Sequence, residues 1–213
     1  MIKQNKGKTL LSSILTVLPM VFGLCVWNKL PDPMPMHWGP SGEVDGYGSR
    51  ALAVFGMPLF LLAMQWLCVF VTSYDPKNKD QNAKAKDLVW WIIPFVSIFV
   101  NGLMYTASLG YTVNASTWGA LFMGLLFVVI GNYMPKCKQN HTIGIKIAWT
   151  LNDEENWNAT HRFAGKLWVA GGLVILLCGF VPGSIGLVAM LVTTFLMVLF
   201  PFIYSYRYYK NHQ

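Results

Sequence analysis

Trp118–Met134 reads WGALFMGLLFVVIGNYM, and Pro135–Lys166, which follows it, reads PKCKQNHTIGIKIAWTLNDEENWNATHRFAGK. The change of character at Pro135 decides the fold. The first stretch carries no charge and approaches the roughly 20 residues a helix needs to cross a bilayer. The second is polar, charged at intervals and marked by two tryptophans. Working outward, further apolar runs occur at Thr9–Trp27, Ala51–Ser73, Leu88–Leu109, Leu167–Val181 and Ile185–Tyr206. Backbone groups in hydrocarbon must be hydrogen-bonded within the segment, so these runs are expected to be helices. The period-two alternation of a membrane β-barrel is absent. Composition agrees: 54% of the 213 residues are hydrophobic and 12% charged, against about 25% charged in soluble domains. The expected fold class is an all-α integral membrane protein with six transmembrane helices. Residues 1–110 form a three-span region with a Pro/Gly-rich outer loop at 30–50, and residues 111–213 form a second with a loop at 135–166.

Charge sets the orientation. Placing the N-terminus inside puts every Lys and Arg except Lys29 and Arg50 on the cytoplasmic side, the positive-inside pattern. N-in, C-in topology and a cytoplasmic 135–166 loop follow. The net charge of +7 is thereby a topology signal, and direct nucleic-acid binding is not expected. Thr9–Trp27 is long for a signal-peptide core and no small-x-small cleavage site follows it, so it reads as a retained first span. None of the six runs contains Asp, Glu, Lys, Arg or His. Such residues mark ion and proton pathways within membranes, and their absence lowers the weight of coupled transporters and pumps. Gln65, Asn101, Thr106, Thr193 and Thr194 are read as interhelical hydrogen-bonding groups. The connector Tyr74–Asp87 reads as a solvated basic loop facing lipid headgroups.

Two loops carry chemical content. The outer one, LPDPMPMHWGPSGEVDGYGSR over Leu30–Arg50, is stiffened by prolines and turned by glycines. It is expected to be ordered, a cap or a recognition surface, with His37, Trp38, Asp45 and Arg50 as candidate contacts. With no second histidine nearby, His37 and Asp45 make a poor metal site. In the inner loop, Pro135–Asn140 should turn. Ile143, Ile145 and Ile147 alternate as in a short extended segment. Thr150 or Asn152 can cap a following helix, with Asp153, Glu154 and Glu155 in its first turn and Glu155 at the capping-box position to Asn152. Trp157, His161 and Trp168 share one helix face, and Trp149, Trp157 and Trp168 suit an interfacial belt. Neither H-E-x-x-H, G-x-S-x-G nor a P-loop is present, so no catalytic residue, metal or cofactor is assigned and the chain is not read as an enzyme. Cys25, Cys68 and Cys178 lie in apolar runs and Cys137 in the loop, with no C-x-x-C among them.

The inner stretch resembles the SdpI family of bacterial membrane proteins. The resemblance rests on Gly131-Asn132, Met134-Pro135-Lys136, Asn140, Gly144-Ile145-Lys146, Trp149-Thr150-Leu151, Glu155, Trp157, and Thr160-His161-Arg162 with Gly165. The family usually has arginine at Lys146, so the planar guanidinium fork is missing there. Leu30-Pro31-Asp32, Pro35, His37-Trp38, Gly42 and Asp45–Arg50 are similar to a domain of uncharacterised function that often precedes the SdpI region. The resemblance implies an immunity protein of the bacterial cell membrane. Such a protein protects against a secreted, membrane-acting peptide toxin and holds an ArsR-type repressor at the membrane as a signalling partner. It directs attention inside to Asn132, Lys136, Asn140, Lys146, Trp149, Glu155, Trp157, His161 and Arg162, with membrane lipids as further partners. Two rival readings remain. One is a transporter or lipid-handling protein for a neutral or zwitterionic substrate, using a polar cavity at Gln65 and Asn101. The other is a membrane enzyme using His161.

Overall fold

The computed structural model describes residues 5–181 and 183–212. Six helices among them are long and apolar enough to cross a membrane: Lys6–Cys25, Leu52–Tyr74, Ala83–Ser108, Ala115–Lys136, Glu154–Cys178 and Ser184–Asn211. The all-α multi-pass architecture read from hydropathy is the one observed. Several helices overrun the apolar runs that announce them, because a helix continues into polar sequence where its caps and neighbours hold it. The largest extension is at the fifth, which begins at Glu154 instead of near Leu167.

In chain order the elements are α1 (Lys6–Cys25), a 3-10 turn, strands β1 (Met34–Trp38) and β2 (Val44–Gly48), and a π-helical turn Leu52–Gly56 leading into α2 (Met57–Tyr74). They continue with α3 (Ala83–Ser108), α4 (Ala115–Tyr133), α5 (Ala148–Asn152), α6 (Glu154–Cys178) and α7 (Gly183–Asn211). The chain forms two compact units: Met1–Val71 with Asp87–Ser116, and Thr72–Lys86 with Thr117–Gln213.

The first unit has an apolar core under the outer loop, where Leu30, Met34, Ala53, Val54, Met104 and Tyr105 are buried together. Deeper along α1 the packing turns polar. Gln65 donates its amide N–H to Ser12 Oγ at 2.6 Å and accepts from the Thr16 hydroxyl. Ser97 Oγ donates to Thr16 O at 2.7 Å, and Trp90 Nε1 to Thr9 Oγ1 at 3.0 Å. Polar atoms in an apolar medium must find partners or forfeit their solvation. Gln65 and Asn101 are 1% and 0% exposed. Gln65 has the interhelical role read from sequence, joining α2 to α1 instead of lining an open polar cavity, whereas Asn101, Thr106, Thr193 and Thr194 donate to backbone carbonyls one turn back in their own helices, because such a carbonyl is always within reach of a short polar side chain.

The second unit is built on a glycine seam. Gly165, Gly172 and Gly179 recur every seven residues on α6, as Gly124 and Gly131 do on α4. A Cβ on Gly172 would lie 2.7 Å from Gly124 O, and one on Gly131 would lie 2.9 Å from Gly165 O. At Gly179 the nearest atoms would be Ala120 Cβ at 3.1 Å and Thr117 O at 3.2 Å. Within lipid, helices associate through packing and not through the hydrophobic effect, so small residues that admit backbone contact set the interface. On its other side α6 meets α7. Asn156 Nδ2 donates to Ser205 O at 3.0 Å, Ser205 Oγ donates to Asn156 Oδ1 at 2.7 Å, and Thr160 Oγ1 joins the same oxygen at 2.9 Å.

A side chain on this seam meets backbone, which cannot rotate away. Gly172→Leu is expected to cost at least the about 1–3 kcal/mol typical of overpacking. Gly119→Ala, where an added Cβ meets nothing within 4 Å, is expected to be neutral or slightly stabilising. Thermal unfolding of the detergent-solubilised protein, followed by size-exclusion fluorescence, separates the two; equal midpoints would refute the seam.

Candidate functional site

The outer loop is a β-hairpin. β1 and β2 pair antiparallel, Met34 opposite Gly48 and Trp38 opposite Val44, with irregular register around His37. The period-two pattern is short and broken by Pro35, which is why an ordered loop was expected and strands were not. His37 Nδ1 lies 2.5 Å from Asp45 Oδ1, both side chains solvent-exposed. The Ser41 hydroxyl donates to Glu43, and this hydrogen bond is the main cause that holds the exposed Glu43 carboxyl below its ordinary value. Gly42 turns the tip with φ +88°. Trp38 packs against the apolar core beneath the hairpin. Arg50 closes the hairpin's foot. Its Nη1 donates to Trp27 O at 2.9 Å, its guanidinium stands 5.0 Å over the Trp27 ring, and its backbone N–H donates to Asp32 Oδ1 at 3.1 Å. Of the four outer candidates, His37 and Asp45 form one exposed pair, while Trp38 and Arg50 hold the hairpin in place.

The 135–166 loop is organised around Trp157 and His161, one turn apart at the start of α6. Their rings stack with centroids 4.0 Å apart. Ile145 N–H donates to His161 Nε2 at 2.9 Å, so Nε2 is the unprotonated nitrogen and Nδ1 carries the proton, lying 2.8 Å from Trp157 O. Trp157 Nε1 donates to Cys137 O at 2.8 Å. Gly144, at φ +114°, lies against both rings; a Cβ there would approach His161 Nε2 to 2.4 Å. Asn140 Oδ1 accepts from the N–H groups of Thr142 and Ile143 at 2.8 and 2.6 Å, while its amide donates to Lys138 O and Ile143 O. Thr150 Oγ1 donates to Ile145 O at 2.7 Å and accepts from Ile147 N–H at 3.1 Å.

Four expectations are corrected here. Residues 141–147 form no strand, because the side chains of Asn140 and Thr150 and the His161 ring supply the partners that a ladder would have supplied. Thr150 lies inside the short helix α5, and Asp153, not Thr150 or Asn152, caps α6 by accepting from Glu155 N–H at 2.9 Å. Glu155 therefore does not occupy the capping-box position. Trp157 belongs to no interfacial belt: it is 0% exposed, packed with Ala85 and Cys137. Trp168 Nε1 is bonded to Met197 O at 3.0 Å, and Trp149 packs edge-on and tilted among Phe202, Tyr206 and Tyr209 of α7.

The fourth correction concerns Tyr74–Asp87, expected to be a solvated connector. Its lysines are largely exposed, but Asp75, Asn78 and Gln81 are buried. Asp75 Oδ2 accepts His141 N–H at 2.7 Å and Asp75 Oδ1 accepts Lys77 N–H at 3.1 Å, with the His141 ring at 3.3 Å. Asn78 donates to Thr142 Oγ1 at 2.6 Å. Gln81 is paired twice with Lys138, donating to its carbonyl and accepting from its N–H, both at 2.8 Å. The composition of the segment hid these residues. The Asp75-Pro76 step was a readable signal, a carboxylate with proline behind it at the start of a helical turn. Asn156 and Ser205 were also missed, and Thr160 was noted only as part of the Thr160-His161-Arg162 resemblance; nothing in a single sequence distinguishes Asn156 and Ser205 from other small polar residues.

The inner candidates thus divide. Asn140, Trp157 and His161 are buried, Trp157 and His161 joined to each other and Asn140 bonded to the loop backbone at Lys138, Thr142 and Ile143. Asn132, Lys136, Lys146, Glu155 and Arg162 are exposed on the same scaffold, with Lys136 Nζ 4.8 Å over the Tyr133 ring. No group of three or more His, Cys, Asp or Glu residues able to hold a metal occurs among the described residues.

Burial alone would raise the Asp75 carboxyl, but hydrogen bonds from His141 and Lys77 outweigh it and hold it below its ordinary value. Its anchoring is therefore complete above the usual carboxylate range, about pH 4, and is lost as pH falls through the depressed value. Asp75→Asn is expected to speed exchange of the His141 amide at least tenfold near neutral pH, in line with the about 1.5–3 kcal/mol of a charged hydrogen bond. Unchanged exchange would remove Asp75 from the scaffold. Burial also pushes the Cys137 thiol up to about 11. Cys137 is expected to resist maleimide at pH 7.5 until the protein is unfolded, as mass spectrometry of the labelled peptide can show.

Residues 136–205 match the SdpI/YfhL protein family and residues 14–62 match a domain of unknown function, DUF1648. The chain is 29% identical over 209 residues to the immunity protein SdpI of Bacillus subtilis (strain 168), covering 96% of this chain and 97% of that one. No solved structure matches it. The SdpI/YfhL match coincides with the Trp157–His161 scaffold and the helices that carry it, and the DUF1648 match covers the hairpin with parts of the helices on either side of it.

Proposed function

We propose that this chain is an immunity protein of the bacterial plasma membrane, protecting the cell that makes it from a membrane-acting peptide toxin. The similarity to an immunity protein along almost the full length of both chains carries this reading, since it includes the hairpin as well as the 135–166 loop. In this reading the N- and C-termini and the 135–166 loop are cytoplasmic, as the lysines and arginines imply, and the hairpin faces outward. The exposed pair His37–Asp45 offers the toxin a polar contact. Arg50 and Trp38 act by positioning the hairpin. Inside, Lys136, Lys146 and Arg162 form a basic, exposed rim on a rigid scaffold, suited to docking a partner such as an ArsR-type repressor.

The geometry separates two kinds of inner residue. His161→Ala and Trp157→Ala remove the scaffold and are expected to abolish toxin tolerance. Arg162→Ala and Lys146→Ala leave the scaffold bonded; they are expected to preserve tolerance and to lose recruitment of a cytoplasmic partner. Survival of a sensitive bacterium expressing each variant at equal membrane level is the measurement. Full tolerance in both scaffold variants would take the inner loop out of the mechanism, and no tolerance from the parent chain would refute the immunity reading.

A further inference from the structure

Between α1 and α3, in the unit that carries the hairpin, lies a groove of about 580 Å³ lined by Leu18, Phe22, Ile98, Gly102, Tyr105 and Tyr111 among others. That is within the about 300–1,000 Å³ of ligand clefts. We infer that this groove is the docking site for one apolar helical segment of a cationic peptide. The inference rests on the immunity reading for the class of ligand and adds where and how it binds.

Three observations support this occupant. First, Gly102 leaves its backbone bare to the groove, with nothing within 4 Å of an added Cβ, and Thr106 follows one turn later on the same helix. Small residues four apart are what allow a second helix to approach closely in lipid. Second, the groove makes no polar demand. The Thr106 hydroxyl is bonded back to Gly102 O at 2.7 Å and the Tyr105 hydroxyl to Pro19 O at 2.9 Å, so an apolar helix leaves neither of them unpaired. Third, the rim has the right charge. Tyr105 and Leu109, which line the groove, also pack with the core beneath the hairpin. The hairpin tip in turn lies against Ser116, 3.1 Å from a Cβ placed on Gly42. That hairpin exposes Glu43 and Asp45, while the charge of Arg50 is directed inward onto the Trp27 carbonyl and ring. Counting Lys29, exposed just after α1, residues 29–50 carry Asp32, Glu43 and Asp45 against Lys29 and Arg50, a local acidic excess on a chain of net charge +7 and complementary to lysines flanking an apolar segment.

Photo-cross-linking tests the assignment on the full chain in phosphatidylcholine nanodiscs. A benzophenone side chain is placed at Gly102, where there is room for it, or at Leu191, an exposed position on α7. The probe is a synthetic twenty-residue leucine–alanine peptide with two lysines at each end. The expected result is at least fivefold more peptide cross-linked at 102 than at 191. Exchanging the peptide's lysines for glutamates, or introducing Glu43→Lys with Asp45→Lys, should cut that yield at least threefold. Equal yields at the two positions, cross-linking to lipid alone, or a cross-linked pair of this chain would each overturn the inference. Gly102→Trp, whose Cβ meets nothing within 4 Å and whose ring adds bulk at the groove, is then compared with the parent in the survival assay. Parental tolerance without preferential cross-linking sinks the groove and leaves the immunity reading standing. Preferential cross-linking without parental tolerance supports the groove and sinks the immunity reading.

Discussion

The neutral imidazole of His161 is the group on which the 135–166 loop depends. Only a neutral imidazole offers, in one rigid ring, a donor on one edge and an acceptor on the other. Here the donor edge faces its own helix at Trp157 O and the acceptor edge takes the Ile145 N–H. A protonated ring would present two donors, and Nε2 would then oppose the Ile145 N–H. The stacked Trp157 ring shields this contact, and Gly144 is the residue that lets the backbone come close enough to make it. Each further bond follows from that placement. Trp157 Nε1 fixes Cys137 O, which sets the turn at 137–140. Asn140 then satisfies that turn from within, and Asp75, Asn78 and Gln81 bind its outer edge.

Leaving one such buried group unmade costs about 1–3 kcal/mol, so a segment with this many is held in a single arrangement or in none. The functional consequence is a division of labour. The side-chain polar atoms of Asn140, Trp157 and His161 are already used within the loop. The exposed lysines and arginine carry no such obligation and can meet a partner or lipid phosphates without disturbing what lies beneath.

The helices were legible because hydropathy over some twenty residues is a bulk property that no single contact overturns. The loops were not, because their order depends on individual side chains standing in for backbone partners. Ile143, Ile145 and Ile147 have strand spacing, yet Gly144 turns the chain between them. Trp157 was assigned to an interface by its residue type, whereas closure of the loop over it buries it entirely. Asp153 was read as a first-turn acid, one position from its true role as the cap. The connector at 74–87 looked solvated because lysine dominates its composition, and three buried residues among the lysines decide where it lies. In the outer loop the sequence showed order but not strands, since Pro35 and the irregular register at His37 blur the alternation.

The seven-residue glycine spacing was visible in the sequence but had no meaning until the helix facing it was known. Two features then meet on one element. The first turns of α6 carry Trp157 and His161, and its remaining length carries Gly165, Gly172 and Gly179 against α4. Close contact along that seam leaves α6 little freedom to slide, since each seam residue has main-chain atoms of the facing segment among its nearest neighbours. On the opposite side, Asn156 binds Ser205 of α7, and Thr160 braces the Asn156 side chain, within the same turns that hold the loop. α6 is therefore a rod fixed at both sides, and it is the element that joins the 135–166 loop to α4 and α7.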